Sequence, residues 1–224
     1  MIRTMKESTE EIKSRVKNII RKLKREIPGA KTALVHRDPL ELLVATILSA
    51  QCTDERVNKV TPTLFKKYRS VQDFANASVS DFENEIKSTG FYRAKTKSIV
   101  NCCKSLIDNY GGKVPEKIEE LVKLPGVGRK TANVVLGNAF GITSGIVVDT
   151  HVKRLSERLG LTKHTDPEKI EIDLMEIVTK KDWIIFGDLL VLHGRRVCNA
   201  RKPKCLECSL SQLCPSAEKI MVMN

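Results

Sequence analysis

Leu124-Pro125-Gly126-Val127-Gly128-Arg129-Lys130-Thr131-Ala132, followed downstream by Val148-Asp149-Thr150-His151, is the stretch on which the reading of this chain turns. Gly126 and Gly128 carry no Cβ, so a tight turn can form between two helices and its amide N–H groups can approach a phosphate closely. The apolar spacing is helical on both sides of that turn. Glu116 to Lys123 predicts a short helix with Ile118, Leu121 and Val122 inward, and Lys130 to Phe140 a second with Val134, Val135 and Phe140 inward, stopped by Gly141. Lys130 falls in the first turn of the second helix, where the positive end of the dipole disfavours an ammonium and pushes the amine toward its neutral, nucleophilic form. A plainer reading keeps Pro-Gly-Val-Gly as a turn, Arg129 and Lys130 as phosphate-binding cations, and Asp149 as the cap of a helix starting near Thr150.

Outward from this stretch the pattern stays helical and the expected class is all-α. Ile12, Val16, Ile19, Ile20, Leu23 and Ile27 recur at helical spacing, with Lys and Arg on the opposite, solvated face. Asp38 caps a helix with Pro39 at its first position. Leu40 to Leu48 is apolar nearly all round, which marks a buried central helix with Gln51 at its exposed end. Ser80-x-x-Glu83 reads as a capping box and Gly90 as a stop. Ile99, Cys102, Cys103, Leu106 and Tyr110 form the inner face of the next helix, and Tyr92 is assigned to packing. No stretch alternates long enough for a strand, the nearest being Ile142 to Val148. Gly111-Gly112 and Gly141 to Gly145 are the candidate junctions.

Composition narrows the partners. Thirty-nine basic against twenty-seven acidic residues give a net charge of +12 over 224 residues, a balance suited to a polyanion. An anionic membrane is the rival, yet no apolar run reaches the ~20 residues that span a bilayer. Glu7, Glu10 and Glu11 are wrong for an acid-poor presequence, so the basic N-terminal stretch reads as a mature helix.

A second concentration of chemistry lies near the C-terminus, in Cys198-x6-Cys205-x2-Cys208-x5-Cys214. Disulfides are disfavoured by the lack of a signal-peptide pattern and by the odd total of seven cysteines. Four thiolates satisfy a tetrahedral zinc, but zinc ribbons usually pair two Cys-x-x-Cys knuckles and this run has one. An iron–sulfur cubane accepts one thiolate per iron from a wrapped loop, and spacing alone favours it over zinc by roughly two to one. Cys52, Cys102 and Cys103 read as inert. His36, His164 and His193 show no ligand spacing, and His151 reads as a packing residue at a helix start.

With both regions in view the chain resembles the endonuclease III family of DNA repair glycosylases. The resemblance runs from Asp38-Pro39 to Cys214, through Leu48-Ser49-Ala50-Gln51, Gly90-Phe91-Tyr92-Arg93, the glycine hairpin, Val148-Asp149-Thr150-His151 and the cysteine run. It implies a [4Fe-4S] cluster on Cys198, Cys205, Cys208 and Cys214, a nucleophile at Lys130 and an essential carboxylate at Asp149. It further implies two helical lobes with DNA in the cleft between them: a six-helix barrel over residues 32–144 carrying the hairpin, and a cluster lobe from 1–31 and 145–224. The implied activity is bifunctional, removing oxidised pyrimidines and cutting 3′ to the abasic site by β-elimination through a lysine Schiff base. The partner would be double-stranded DNA with damaged bases or abasic sites. Gly126, Val127, Gly128 and Arg129 would grip the duplex backbone, Gln51 would face the orphaned base and Phe91 would wedge into the stack. Arg201, Lys202 and Lys204 would meet phosphates, or form a solvated tail. A monomer in a prokaryotic cytoplasm, associated with the nucleoid, is the expected setting. Two alternatives stay open: a monofunctional glycosylase on the same scaffold, and a non-enzymatic DNA-binding module.

Overall fold

The computed structural model describes residues 7–223. Every regular element among them is helical: α1 (Thr9–Glu26), α2 (Pro39–Leu48), α3 (Asp54–Lys67), α4 (Val71–Ala75), α5 (Val79–Ile86), α6 (Tyr92–Tyr110), α7 (Ile118–Leu121), α8 (Arg129–Phe140), α9 (Thr150–Arg158), α10 (Pro167–Ile177), α11 (Trp183–Arg196) and α12 (Ala217–Met223). Short 3-10 turns stand at Lys87–Thr89, Lys180–Asp182, Cys205–Glu207 and Ser211–Leu213. The chain divides into a central unit, Thr32–Ser144, and a terminal unit made from the described residues of Met1–Lys31 together with Gly145–Asn224. No helix among the described residues is long and apolar enough to cross a membrane.

In the central unit, Asp38 Oδ1 accepts the Glu41 N–H at 2.8 Å and Pro39 opens α2, so the helix starts where its first amides are already satisfied. Residues 41–48 are then all buried, as an all-round apolar helix must be. Phe65, Tyr68, Phe74 and Phe82 interlock beside it, with Tyr68 stacked on Phe74 at 5.4 Å and edge-on to Phe82 at 5.2 Å. The inner stripe of α6 buries Ile99, Cys102, Cys103 and Leu106.

The local structure departs from the sequence expectations at several points. The Ser80 capping box does not form: α5 begins at Val79, which leaves Ser80 inside the first turn with its hydroxyl 3.1 Å from that of Ser78. A true box stands at Ser70 and Asp73, each side chain bonding the other's amide. The helix expected over Glu116 to Lys123 shrinks to the single turn of α7, and Val122 is 42% exposed rather than inward, because the chain already turns toward Gly126 there. Gly111-Gly112 is no junction, since it lies inside the central unit. Gly111 takes a left-handed φ of 58° to end α6, and the Gly112 N–H closes back on Leu106 O at 2.9 Å.

In the terminal unit, α1 packs on α10 and α11, and α9 packs on α11. Val16, Ile19, Ile20 and Leu23 enter a core with Leu155, Leu174, Phe186, Leu189 and Leu190. The basic face of α1 is not wholly solvated. Arg15 turns its guanidinium inward to donate to Leu159 O at 2.7 Å and Leu213 O at 3.2 Å while pairing with Glu7, because carbonyls at the ends of helices need donors.

Candidate functional site

The hairpin is a chain of short backbone bonds. Leu124 N–H reaches Leu121 O at 3.0 Å, Val127 N–H reaches Leu124 O at 3.1 Å, and Ala132 N–H reaches Gly128 O at 3.0 Å to start α8. Its two glycines do different work. Gly126 has φ +78°, and a Cβ there would stand 2.6 Å from Ser98 Cβ on α6, so both conformation and packing demand glycine. Gly128 is extended, at φ −91°, and a Cβ there would meet nothing within 4 Å. Its lack of a side chain therefore serves no internal contact and leaves the amides at the start of α8 open to an approaching group. Val127 between them is buried against the core, which anchors the turn. Arg129 and Lys130 are the first two residues of α8 and both are exposed.

Gln51 and Phe91 are the two non-glycine residues with positive φ among the described residues, at 52° and 47°. Left-handed backbone costs such residues about 1 kcal/mol or more, and it persists only where the surroundings hold it. Phe91 is 64% exposed, an unusual place for a large apolar ring. Gln51, Phe91 and Gly126 line one groove of about 280 Å³, with Lys95 and Ser98 in its wall. Thus the structure brings three of the sequence-selected residues together within the central unit. The sequence reading missed Lys95, although its position four residues before Ile99 on the buried stripe of α6 was a usable signal.

In the terminal unit Asp149 is the N-cap of α9. Its Oδ1 accepts both the His151 and Val152 N–H groups at 2.8 Å, and Oδ2 accepts no hydrogen bond among the described residues. His151 receives Arg154 Nη2 at 3.1 Å. Burial holds its imidazole below the usual histidine value, an effect opposed by Asp149 and reinforced by Arg154 and Arg195. The other end of α9 grips the cysteine run: Arg154 donates to Cys198 O, and Arg158 to Cys198 Sγ at 3.2 Å and to Asn199 O and Ala200 O at 2.8 Å. One helix therefore ties the capping aspartate to the start of the loop that bears Arg201, Lys202 and Lys204, all three exposed. Lys204 N–H closes that loop on Val197 O at 3.0 Å.

Cys198, Cys205, Cys208 and Cys214 line one cavity with Leu155, Leu210 and other residues of this unit. Burial, with the neighbouring thiols adding like-charge repulsion, pushes Cys208 up to about 11 and raises Cys205 and Cys214. Among the described residues no three His, Cys, Asp or Glu side chains converge as they would on a single metal ion. His193, set aside from sequence, is 2% exposed with Nε2 3.5 Å from Cys208 Sγ and Nδ1 without a partner. His164 instead pairs with Asp173.

Comparison with known proteins agrees with this geometry. Residues 44–180 match the model of the HhH-GPD superfamily base excision DNA repair proteins. A protein named endonuclease III from Synechocystis sp. is 55% identical over 206 residues, covering 92% of this chain and 94% of its own. The structure of a non-covalent endonuclease III–DNA complex superposes with a TM-score of 0.89 at 45% identity, over 94% of this chain and 98% of that one. A trapped endonuclease III–DNA covalent intermediate gives 0.88 at 45% identity, over 93% and 98%. The chain belongs to the endonuclease III family.

Proposed function

We propose that this chain is a bifunctional base-excision DNA glycosylase and abasic-site lyase acting on duplex DNA with oxidised pyrimidines. The observation that carries this reading is Lys130, exposed at the start of α8 directly behind the open amide face at Gly128, in a chain 45% identical to a protein trapped covalently on DNA. A base inside the stack shields its sugar, so the damaged nucleotide must leave the helix first. Gln51 and Phe91 then occupy the gap. The Lys130 amine bonds to C1′ as the bond from C1′ to the base breaks, and the departing base takes up a proton. The sugar ring opens to the Schiff base, the C2′ proton is removed, and the C3′–O bond breaks to cut the strand 3′ to the site. Water then frees the lysine. Asp149 can stabilise positive charge on the sugar through Oδ2, because its capping bonds use only Oδ1.

The four thiols fit a [4Fe-4S] cluster, since they line one cavity together with apolar side chains and a wrapped loop supplies one thiolate for each iron. When bound, the cluster would supply structural cross-linking of the loop. What this chain's own residues do there is fold the loop that presents Arg201, Lys202 and Lys204 to phosphates. Zinc is distinguished from the cluster by iron and sulfide content and by absorption in the visible.

Borohydride trapping on a duplex with one thymine glycol tests the reading. The wild type should form a covalent adduct and Lys130→Gln none, with damage-site binding largely kept. Asp149→Asn should slow base release far more than it weakens binding. Base release without an adduct would make the chain monofunctional, and tight binding with neither would make it a binding module.

A further inference from the structure

Lys95 takes no part in the chemistry above, yet it is the only lysine or arginine that is buried among the described residues, at 4% exposure. An ammonium has three donors and is costly to strip of water unless partners are supplied. Its partners are two main-chain carbonyls, Leu48 O and Thr89 O, each at 2.8 Å, and no carboxylate. Leu48 ends α2 three residues before Gln51. Thr89 ends the 3-10 turn two residues before Phe91. The cation thus bridges the two segments whose next residues carry the only left-handed non-glycine backbones described, and both of those side chains face the same groove as Lys95. Burial holds the Lys95 amine below the usual lysine value, with Cys52 opposing.

We propose that Lys95 is a positioning residue: by clamping the carbonyls that precede Gln51 and Phe91, it fixes before DNA binds the spacing of the two side chains that fill the gap left by an extruded nucleotide. The proposal rests on the gap-filling reading of Gln51 and Phe91. A lysine that only filled the core would affect stability and nothing selective.

The test compares borohydride trapping at an abasic site in a duplex with the same site in a single strand, where there is no orphaned base to meet and no stack to wedge. Lys95→Met keeps the chain length and removes the donors. It should slow trapping on the duplex on the order of tenfold, because small displacements of positioning groups cost heavily, and change the single-strand rate by less than about twofold. In a Gln51→Ala/Phe91→Ala background the same change should add less than about twofold on the duplex, since residues acting through one another are not additive. Lys95→Arg, which keeps a cation but alters its reach, carries the same comparison if the methionine variant does not fold. Equal losses on both substrates, no loss on either, or a full loss in the double-alanine background would each overturn the proposal. A wild-type chain that traps on neither substrate would overturn the glycosylase and lyase reading, and this proposal with it.

Discussion

Cysteine behaves oppositely in the two units. In the central unit Cys102 and Cys103 are each 1% exposed inside an apolar core, where burial pushes the Cys102 thiol up to about 12 and that of Cys103 higher still, so both serve as small hydrophobes. In the terminal unit the four C-terminal cysteines are only partly buried. They meet polar groups there: Arg158 at Cys198, His193 at Cys208 and the Arg158 carbonyl at Cys214. The central unit closes its core mainly with aromatic and aliphatic side chains, among which its two buried thiols pack. The terminal unit keeps an apolar-walled cavity edged by thiols. The environment, and not the residue type, decides whether a thiol packs or ligates.

The largest expected effect follows from that contrast. Cys208→Ala should abolish the visible absorption of the proposed cluster and collapse hydrogen-exchange protection in the terminal unit, while amides of α2 and α6 keep theirs. Simultaneous loss in both units would break the distinction. Next in size, Phe82→Ala in the aromatic cluster of the central unit should cost about 3–5 kcal/mol by urea unfolding, with the visible spectrum of the folded protein unchanged.

Asp188 on α11 sharpens the comparison from the other side, because the terminal unit partly buries a carboxyl whose value is pushed up to about 6. The folded state then holds the proton more tightly than the unfolded chain, so its stability falls as pH rises from about 4 to 6. At neutral pH the buried charge costs on the order of 3 kcal/mol. Asp188→Asn should recover much of that at pH 7 and none below pH 4, as read by urea midpoints at the two pH values. The smallest effects separate the hairpin glycines. Gly126→Ala should cost about 1–2 kcal/mol through strain and the clash with Ser98. Gly128→Ala, at the N-cap of α8, should cost less, about 0.5–1 kcal/mol, and still weaken duplex binding, which a filter or anisotropy titration would show.

Much of this was legible because it depends on residues near one another in sequence. The Asp38-Pro39 start, the stripes of α1 and α6, and the glycine turn before α8 follow from caps and helical spacing. The failures have local causes too: at Ser80 a second serine two residues earlier took the cap position, and at Val122 the turn preceded the end of the apolar pattern.

The sequence by itself determined the helical class, the placement of a lysine behind an open glycine turn, the Asp149 cap and the cysteine run, since each is set by spacing along a few turns of chain. Tertiary structure alone decided that Gln51 and Phe91 share a groove with Gly126, that both are left-handed, and that Lys95 bridges the carbonyls before them. It also decided that Arg154 and Arg158 join the Asp149 helix to the cysteine loop. A buried cation takes whatever carbonyls the packing brings to it, and residues 47 and 44 positions apart come within 2.8 and 3.0 Å only once the helices have packed.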